Sequence, residues 1–197
     1  MSQEHHADSG SSGGNKRIAI FIAVLAALLA IAETGAKSAQ TAALFHNIDA
    51  TNLWQFFQAK TIRQTALRAA ADAMDLDAAA ASLPPALAEA RKKQLGQWRD
   101  TIARYDSEPA TQEGRQELMA RAQLQEKLRD RAMAAYHLFE LSSAAFQIAI
   151  VLASATIITG VTWLAFASGA LCAAGVVLGA LGWVAPTVVH LPTLVHL

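Results

Sequence analysis

The chain has one cysteine in 197 residues, Cys172, and it lies inside an apolar run. A single thiol excludes an intramolecular disulfide and leaves no cysteine cluster for a metal. A basic excess is also missing: 16 Lys+Arg face 16 Asp+Glu, for a net charge of +0. Recognition of a polyanion normally leaves surplus positive charge on one face, so nucleic acid is not expected as a partner. The sequence contains no glycine-rich phosphate loop, H-E-x-x-H pair, G-x-S-x-G elbow or cysteine nucleophile in a polar setting. Neither an enzymatic reaction nor a cofactor is expected. Acid pairs such as Asp75 and Asp77 fall on different helical faces. His46 and His137 are near the apolar runs in sequence but lack further ligands for a metal.

The most informative absence is local. Residues 18–32, 141–159 and 161–185 contain no Lys, Arg, Asp or Glu, whereas residues 33–140 hold 14 of the 16 Lys+Arg and 14 of the 16 Asp+Glu. A helix rises about 1.5 Å per residue and a hydrocarbon core is roughly 30 Å thick, so the second and third runs can span it and the first nearly can. The expected architecture is an all-α membrane protein with three transmembrane helices and a long extramembrane helical stalk between the first and second. Its parts are a disordered polar leader (1–17), transmembrane helix 1 (18–32), the stalk (33–140), transmembrane helix 2 (141–159), transmembrane helix 3 (161–185) and a C-terminal tail (186–197). Lys16 and Arg17 before a short apolar run also fit a secretory signal ending at Ala30-Ile31-Ala32. Helical pattern that continues through Glu33 and Lys37 favours an anchor running into a stalk.

Proline and glycine punctuate the stalk sparingly. Between residues 15 and 80 there is no proline, and Gly35 is the one glycine, which predicts a single long helix. Leu83-Pro84-Pro85 ends it, and Pro85 suits the first turn of a second helix over residues 86–105. Asp106-Ser107-Glu108-Pro109 breaks that helix, and a third is predicted from Thr111 straight into the second apolar run. The third helix should run antiparallel to the first, with the second near the far tip or on the returning arm. Abundant alanine buries little area per residue, so a coiled-coil-like homo-oligomer is expected, with a monomeric hairpin as the alternative.

Polar groups in apolar runs need partners. Gln147 should hydrogen-bond to a neighbouring helix, as structural glue or as part of a conduction path. Glu33 can reach interfacial water, and Trp163 and Trp183 sit where aromatic anchors belong. Ser168, Cys172, Gly175 and Gly179 make a small-residue face able to pack on the preceding helix or on another chain.

The densest unusual segment is residues 47–65. Leu53, Phe56, Phe57 and Lys60 share one helical side, and Trp54, Gln58 and Thr61 an adjacent one. Packing on the third helix explains this simply, with Lys60 and Arg63 pairing to acids such as Glu113 or Glu117. A binding site formed by Trp54, Phe57, Gln58, Lys60 and Arg63, with Gln147 as a further candidate, is the sharper alternative. Together, Asn47-Ile48-Asp49-Ala50, Leu53-Trp54-Gln55-Phe56-Phe57-Gln58-Ala59-Lys60-Thr61-Ile62-Arg63-Gln64-Thr65, His137-Leu138-Phe139-Glu140 and residues 147–154 resemble an uncharacterised bacterial family of small multi-helix membrane proteins, classified as a domain of unknown function. The resemblance implies a bacterial cell-membrane protein and brings no reaction, ligand or active site. The family often has Tyr where this chain has Phe57, so a phenolic hydroxyl there is not essential. Lys37, Lys127, Arg129 and Arg131 flanking the runs, against Lys16 and Arg17 on the leader, favour a cytoplasmic stalk on the inner membrane. The functional expectation is an oligomeric scaffold or partner-binding module, with membrane lipid and a protein partner as its contacts. The alternative is a pore-forming or transport component built from several subunits.

Overall fold

The computed structural model describes residues 9–80 and 84–188, and the described residues form four helices and no strand. They are α1 (Ser9–Ala80), α2 (Pro85–Asp106), α3 (Arg115–Thr159) and α4 (Thr162–Val184). Three of them, α1, α3 and α4, are long and apolar enough to cross a membrane. α1 begins inside the leader that the sequence suggested would be disordered. Once a helix exists, adding a residue at its end needs no new nucleus, so Ser9 to Arg17 join it despite weak propensity. Residues 1–8 of that leader, and residues 189–197 of the tail, lie outside the described residues.

The described residues fall into two compact units, one holding those up to 43 and from 130 onward, the other those between 44 and 129. In the first, α1 packs on α3 through Leu25, Ala32, Phe146, Ala149 and Ala153, flanked by Phe21, Ile22, Leu28, Leu171 and Cys172. The two helices run antiparallel, because Gly35 lies against Phe139 while the earlier α1 residues lie against later α3 residues. α3 leads into α4 through Gly160, whose φ of 69° is the left-handed conformation that glycine adopts without steric cost. Trp163 and Trp183, near the two ends of α4, are both strongly exposed.

The small-residue face of α4 is filled from within the chain. The hydroxyl of Ser142 donates to the Gly175 carbonyl at 2.7 Å, and that of Ser168 to the Ala149 carbonyl at 2.7 Å, both bonds being buried. A Cβ at Gly175 would fall 2.8 Å from the Phe146 ring, one at Gly179 would meet the Ser142 hydroxyl at 3.2 Å, and one at Gly182 the Phe139 ring at 3.3 Å. Helices surrounded by lipid gain little from hydrophobic burial, so close backbone approach and interhelical hydrogen bonds must hold them together. The remaining hydroxyls of this apolar part of α3, Ser143, Ser154, Thr156 and Thr159, donate to carbonyls three or four residues back and need no outside partner.

Gln147 departs from expectation. It is exposed on α3 and makes no side-chain hydrogen bond to a neighbouring helix among the described residues. The inward positions beside it belong to Phe146 and Ala149, so the helical period turns residue 147 outward.

Gly175→Ala should lower stability by about 1–3 kcal/mol, because the Phe146 ring must move. Gly169→Ala, where an added Cβ meets nothing within 4 Å, should leave stability unchanged or slightly raised. Unfolding of the two variants in detergent compares them directly.

Candidate functional site: a polar clamp in the charged unit

In the second unit α1 turns a 3-4 spaced face inward: His46, Ala50, Leu53, Phe57, Lys60, Gln64, Leu67, Ala71 and Met74 are all partly or fully buried. That spacing is the seam of a helix packing nearly parallel to its neighbours. Arg129 reaches Asn47 near one end of the pairing with α3, and Arg115 reaches Thr61 near the other, so these helices are antiparallel. α2 folds back along α1, with Arg91 near Asp77, Arg99 on Asp75 at 2.7 Å, and the Gln64 amide donating to the Ile102 carbonyl. It therefore lies on the returning arm. Arg99 and Asp75 are well exposed, so that pair contributes only about 0–1 kcal/mol.

Lys60 is the centre of the site. Its side chain is only 6% exposed, its ammonium donates to the Glu113 carbonyl, and the carboxylates of Glu113 and Glu108 stand 3.8 and 3.9 Å away. The rings of Phe56 and Tyr105 lie 5.3 and 5.8 Å from the ammonium, offering their negative faces to it. Withdrawing an ammonium from water is costly unless hydrogen bonds and opposite charge replace the water, and here the Glu113 carbonyl accepts one hydrogen bond while two carboxylates and two ring faces offset the charge. Glu117, the other acid expected near Lys60, has a different task. It accepts from the Ser107 hydroxyl at 2.6 Å and from the Glu108 amide at 3.2 Å, which lowers its carboxyl pKa below the usual range.

Arg115 completes the clamp. Its Nε donates to Thr61 Oγ1 at 3.0 Å, and one terminal nitrogen donates to Gln64 Oε1 at 2.7 Å and Asp106 Oδ1 at 3.2 Å. The guanidinium also lies 5.0 Å from the centre of the Phe57 ring, which meets Trp54 edge-on. Trp54 in turn donates to Glu126 at 2.9 Å, and His46 Nδ1 is 2.7 Å from Gln125 Oε1.

Of the residues the sequence singled out, Trp54, Phe57 and Lys60 come together here. Gln58 and Arg63 do not: both are exposed and make no side-chain interaction among the described residues. Their places on the turn face outward, and the acids near the start of α3 are taken by Lys60, by the Ser107 hydroxyl and by the Glu108 backbone amide. Gln147 belongs to the other unit. Sequence reading missed Gln64, one turn beyond Lys60 on α1, and Tyr105, Asp106 and Arg115, which the chain reaches only at the end of α2 and the start of α3. It also placed the start of α3 at Thr111, whereas the helix starts at Arg115. Gln112 takes a left-handed φ of 59°, and a Cβ on Gly114 would strike the Glu117 carboxylate and lie 2.7 Å from Ser107 Cα. The turn that carries the clamp therefore delays the helix.

The arrangement pairs its buried polar groups with one another. Among the described residues every buried side-chain nitrogen and oxygen has a hydrogen-bond partner, and no group of three His, Cys, Asp or Glu side chains is placed to hold a metal. Beside the clamp, a groove of about 490 Å³ is lined by Asp49, Asn52, Leu53, Phe56, Arg121, Leu124 and Gln125. In the first unit an apolar cleft of about 250 Å³ is bordered by Leu28, Ile31, Phe139, Gly179 and Trp183.

These features belong to a known but functionally undefined class. Residues 14–185 match the family described as a domain of unknown function, DUF4337, and the chain belongs to that family. No curated protein and no solved structure matches it.

Arg115→Lys keeps the charge but loses the planar fork, and should destabilise the unit by about 1–3 kcal/mol, while Arg63→Lys should change stability by less than about 0.5 kcal/mol. Thermal unfolding followed by circular dichroism separates the two. Glu117 adds a pH dependence. Its pKa is lowered in the folded state, so its stabilising contribution is complete above the unfolded carboxylate value near 4.3 and fades as pH falls through the folded value. Glu117→Gln should remove that part of the acid destabilisation, as read from unfolding midpoints between about pH 3 and pH 6.

Proposed function

We propose that this chain is a membrane-anchored, oligomeric scaffold or partner-binding module of the bacterial inner membrane. The apolar runs of α1, α3 and α4 serve as three spans, and residues 33–140 form a cytoplasmic helical stalk. The observation that carries this reading is how the charged unit uses its side chains. Lys60, Gln64, Arg115 and Trp54 are engaged in joining α1 to α2, α3 and the turn between them, and Glu117 binds that turn to α3. What the unit turns outward instead includes large apolar side chains: Phe45 is 65% exposed, Ile48 54%, Ile62 70% and Leu76 73%. A stiff helical unit with greasy side chains facing water is suited to binding other protein surfaces. No reaction is part of the proposal.

One observation favours a second reading, a pore or transport component. Gln147 is exposed within the apolar part of α3, and Glu33 is exposed at the end of the first apolar run. In lipid such groups are costly unless they face a partner or water, and a path lined by several subunits would supply the water.

Reconstitution into liposomes separates the two. The scaffold reading expects a stable assembly in mild detergent and ion permeability no different from empty vesicles. Conductance that falls on Gln147→Leu or Glu33→Gln would replace it with the pore.

A further inference from the structure

In the charged unit α1 carries a second 3-4 repeat, on the side away from α2 and α3. Starting at Phe45 and Ile48 it passes through Asn52, Gln55 and Ile62 and reaches Leu76, with alanine at positions 59, 66, 69 and 73. Every one of these positions is exposed except the half-buried alanine at 59. Eight of the ten positions are apolar, and none of the seven charged residues of α1 between 44 and 80 falls on the stripe. An apolar repeat averaging 3.5 residues fits a partner helix that supercoils with it, since a straight helix of 3.6 residues per turn drifts off such a stripe.

We infer that this stripe is the seam of a parallel coiled coil between α1 helices of two copies of the chain. The inference rests on the membrane-anchored oligomer reading, because two stalks leaving one membrane on the same side must run parallel. In register, Phe45, Asn52 and positions 59, 66 and 73 take the a sites, and Ile48, Gln55, Ile62, position 69 and Leu76 take the d sites. Each copy then sets Asn52 against Asn52 and Gln55 against Gln55. A carboxamide both donates and accepts, so these two layers are complementary only when the register is correct, the role that a buried Asn plays in two-stranded coils. The flanks present no strong repulsion. Arg63 faces Gln58 of the other copy, and Asp77, which would approach Asp72, has Arg91 of its own chain 3.7 Å away. Ten layers carry the contact over residues 45–76, about 47 Å of helix axis at about 1.5 Å per residue.

The test uses the full-length chain in membrane vesicles, with Cys172→Ala as background and one new cysteine at a time. Facing d positions bring Cβ atoms close enough for a disulfide. Under mild oxidation Ile48→Cys and Ile62→Cys should give covalent dimers at least about tenfold more readily than Arg68→Cys, which is exposed but off the seam, because only the seam holds two thiols at high local concentration. Equal yields at the three positions, or products whose mass shows a different protein attached, overturn the seam. Native mass spectrometry of the parent chain distinguishes the two levels of the argument. An oligomer without seam cross-links removes this interface and leaves the scaffold reading standing, whereas a monomer removes both.

Discussion

An ammonium group cannot be taken from water without replacement of what water gave it, and the burial of Lys60 imposes that requirement on everything around it. Three donors need acceptors, and a positive charge needs a negative surround. The carbonyl and the carboxylates come from the turn between α2 and α3, and one ring, Tyr105, from the last turn of α2, so α2 must end where it does; the other ring, Phe56, is on α1 itself. The same turn must present the Glu113 carbonyl inward, which brings Gln112 into a left-handed conformation and Gly114 against Ser107, where a larger residue has no room. Arg115 then begins α3 in position to bind Thr61, Gln64 and Asp106 together. One buried charge thus fixes a helix end, a turn and a helix start that a purely apolar contact would leave free to slide.

The two units hold helices together by different physics, and each choice matches its composition. Residues 44–129 contain most of the chain's charges, and their helices are fastened by directional bonds to Lys60, Arg115 and Trp54. The apolar helices of the first unit use almost none of this. There Phe139 lies against Gly35 of α1 and Gly182 of α4, Phe146 lies against Gly175, and two serine hydroxyls bind carbonyls of adjacent helices. Ring against glycine gives dispersion contact at close range, while ring against leucine would hold the helices further apart.

The helices were legible in the sequence because their signals are local. The proline-free stretch to residue 80, Pro85 at a first helical turn and the charge-free runs each depend on neighbours within a few positions. The small-residue stripe of α4 was legible too, but spacing alone does not say whether α3 or another chain fills it. Phe146 and Phe139, on α3 and far in sequence from the α4 glycines they meet, decide that. The clamp shows the limit most clearly. Trp54, Phe57 and Lys60 were visible as a dense segment, yet Arg115 and Asp106 become their neighbours only after α2 has folded back. Gln58 and Arg63 resemble them chemically and differ by about one helical position, enough to point the other way.

That angular difference also explains why α1 can present two faces at once. Inward positions such as Phe57 and Gln64 and outward positions such as Gln55 and Ile62 each recur every seven residues, two positions apart, and two positions on a helix are separated by about 200°. A repeat of seven therefore produces two nearly opposite stripes on one rod. The inner stripe has its partners in α2 and α3, and its polar members are bonded. The outer stripe repeats the same period with branched aliphatics and carboxamides exposed to water, an arrangement with no stabilising effect within the chain. The outer stripe's period follows from the inner one, so what the proposed coiled coil draws on is composition: eight of its ten positions are apolar and none is charged.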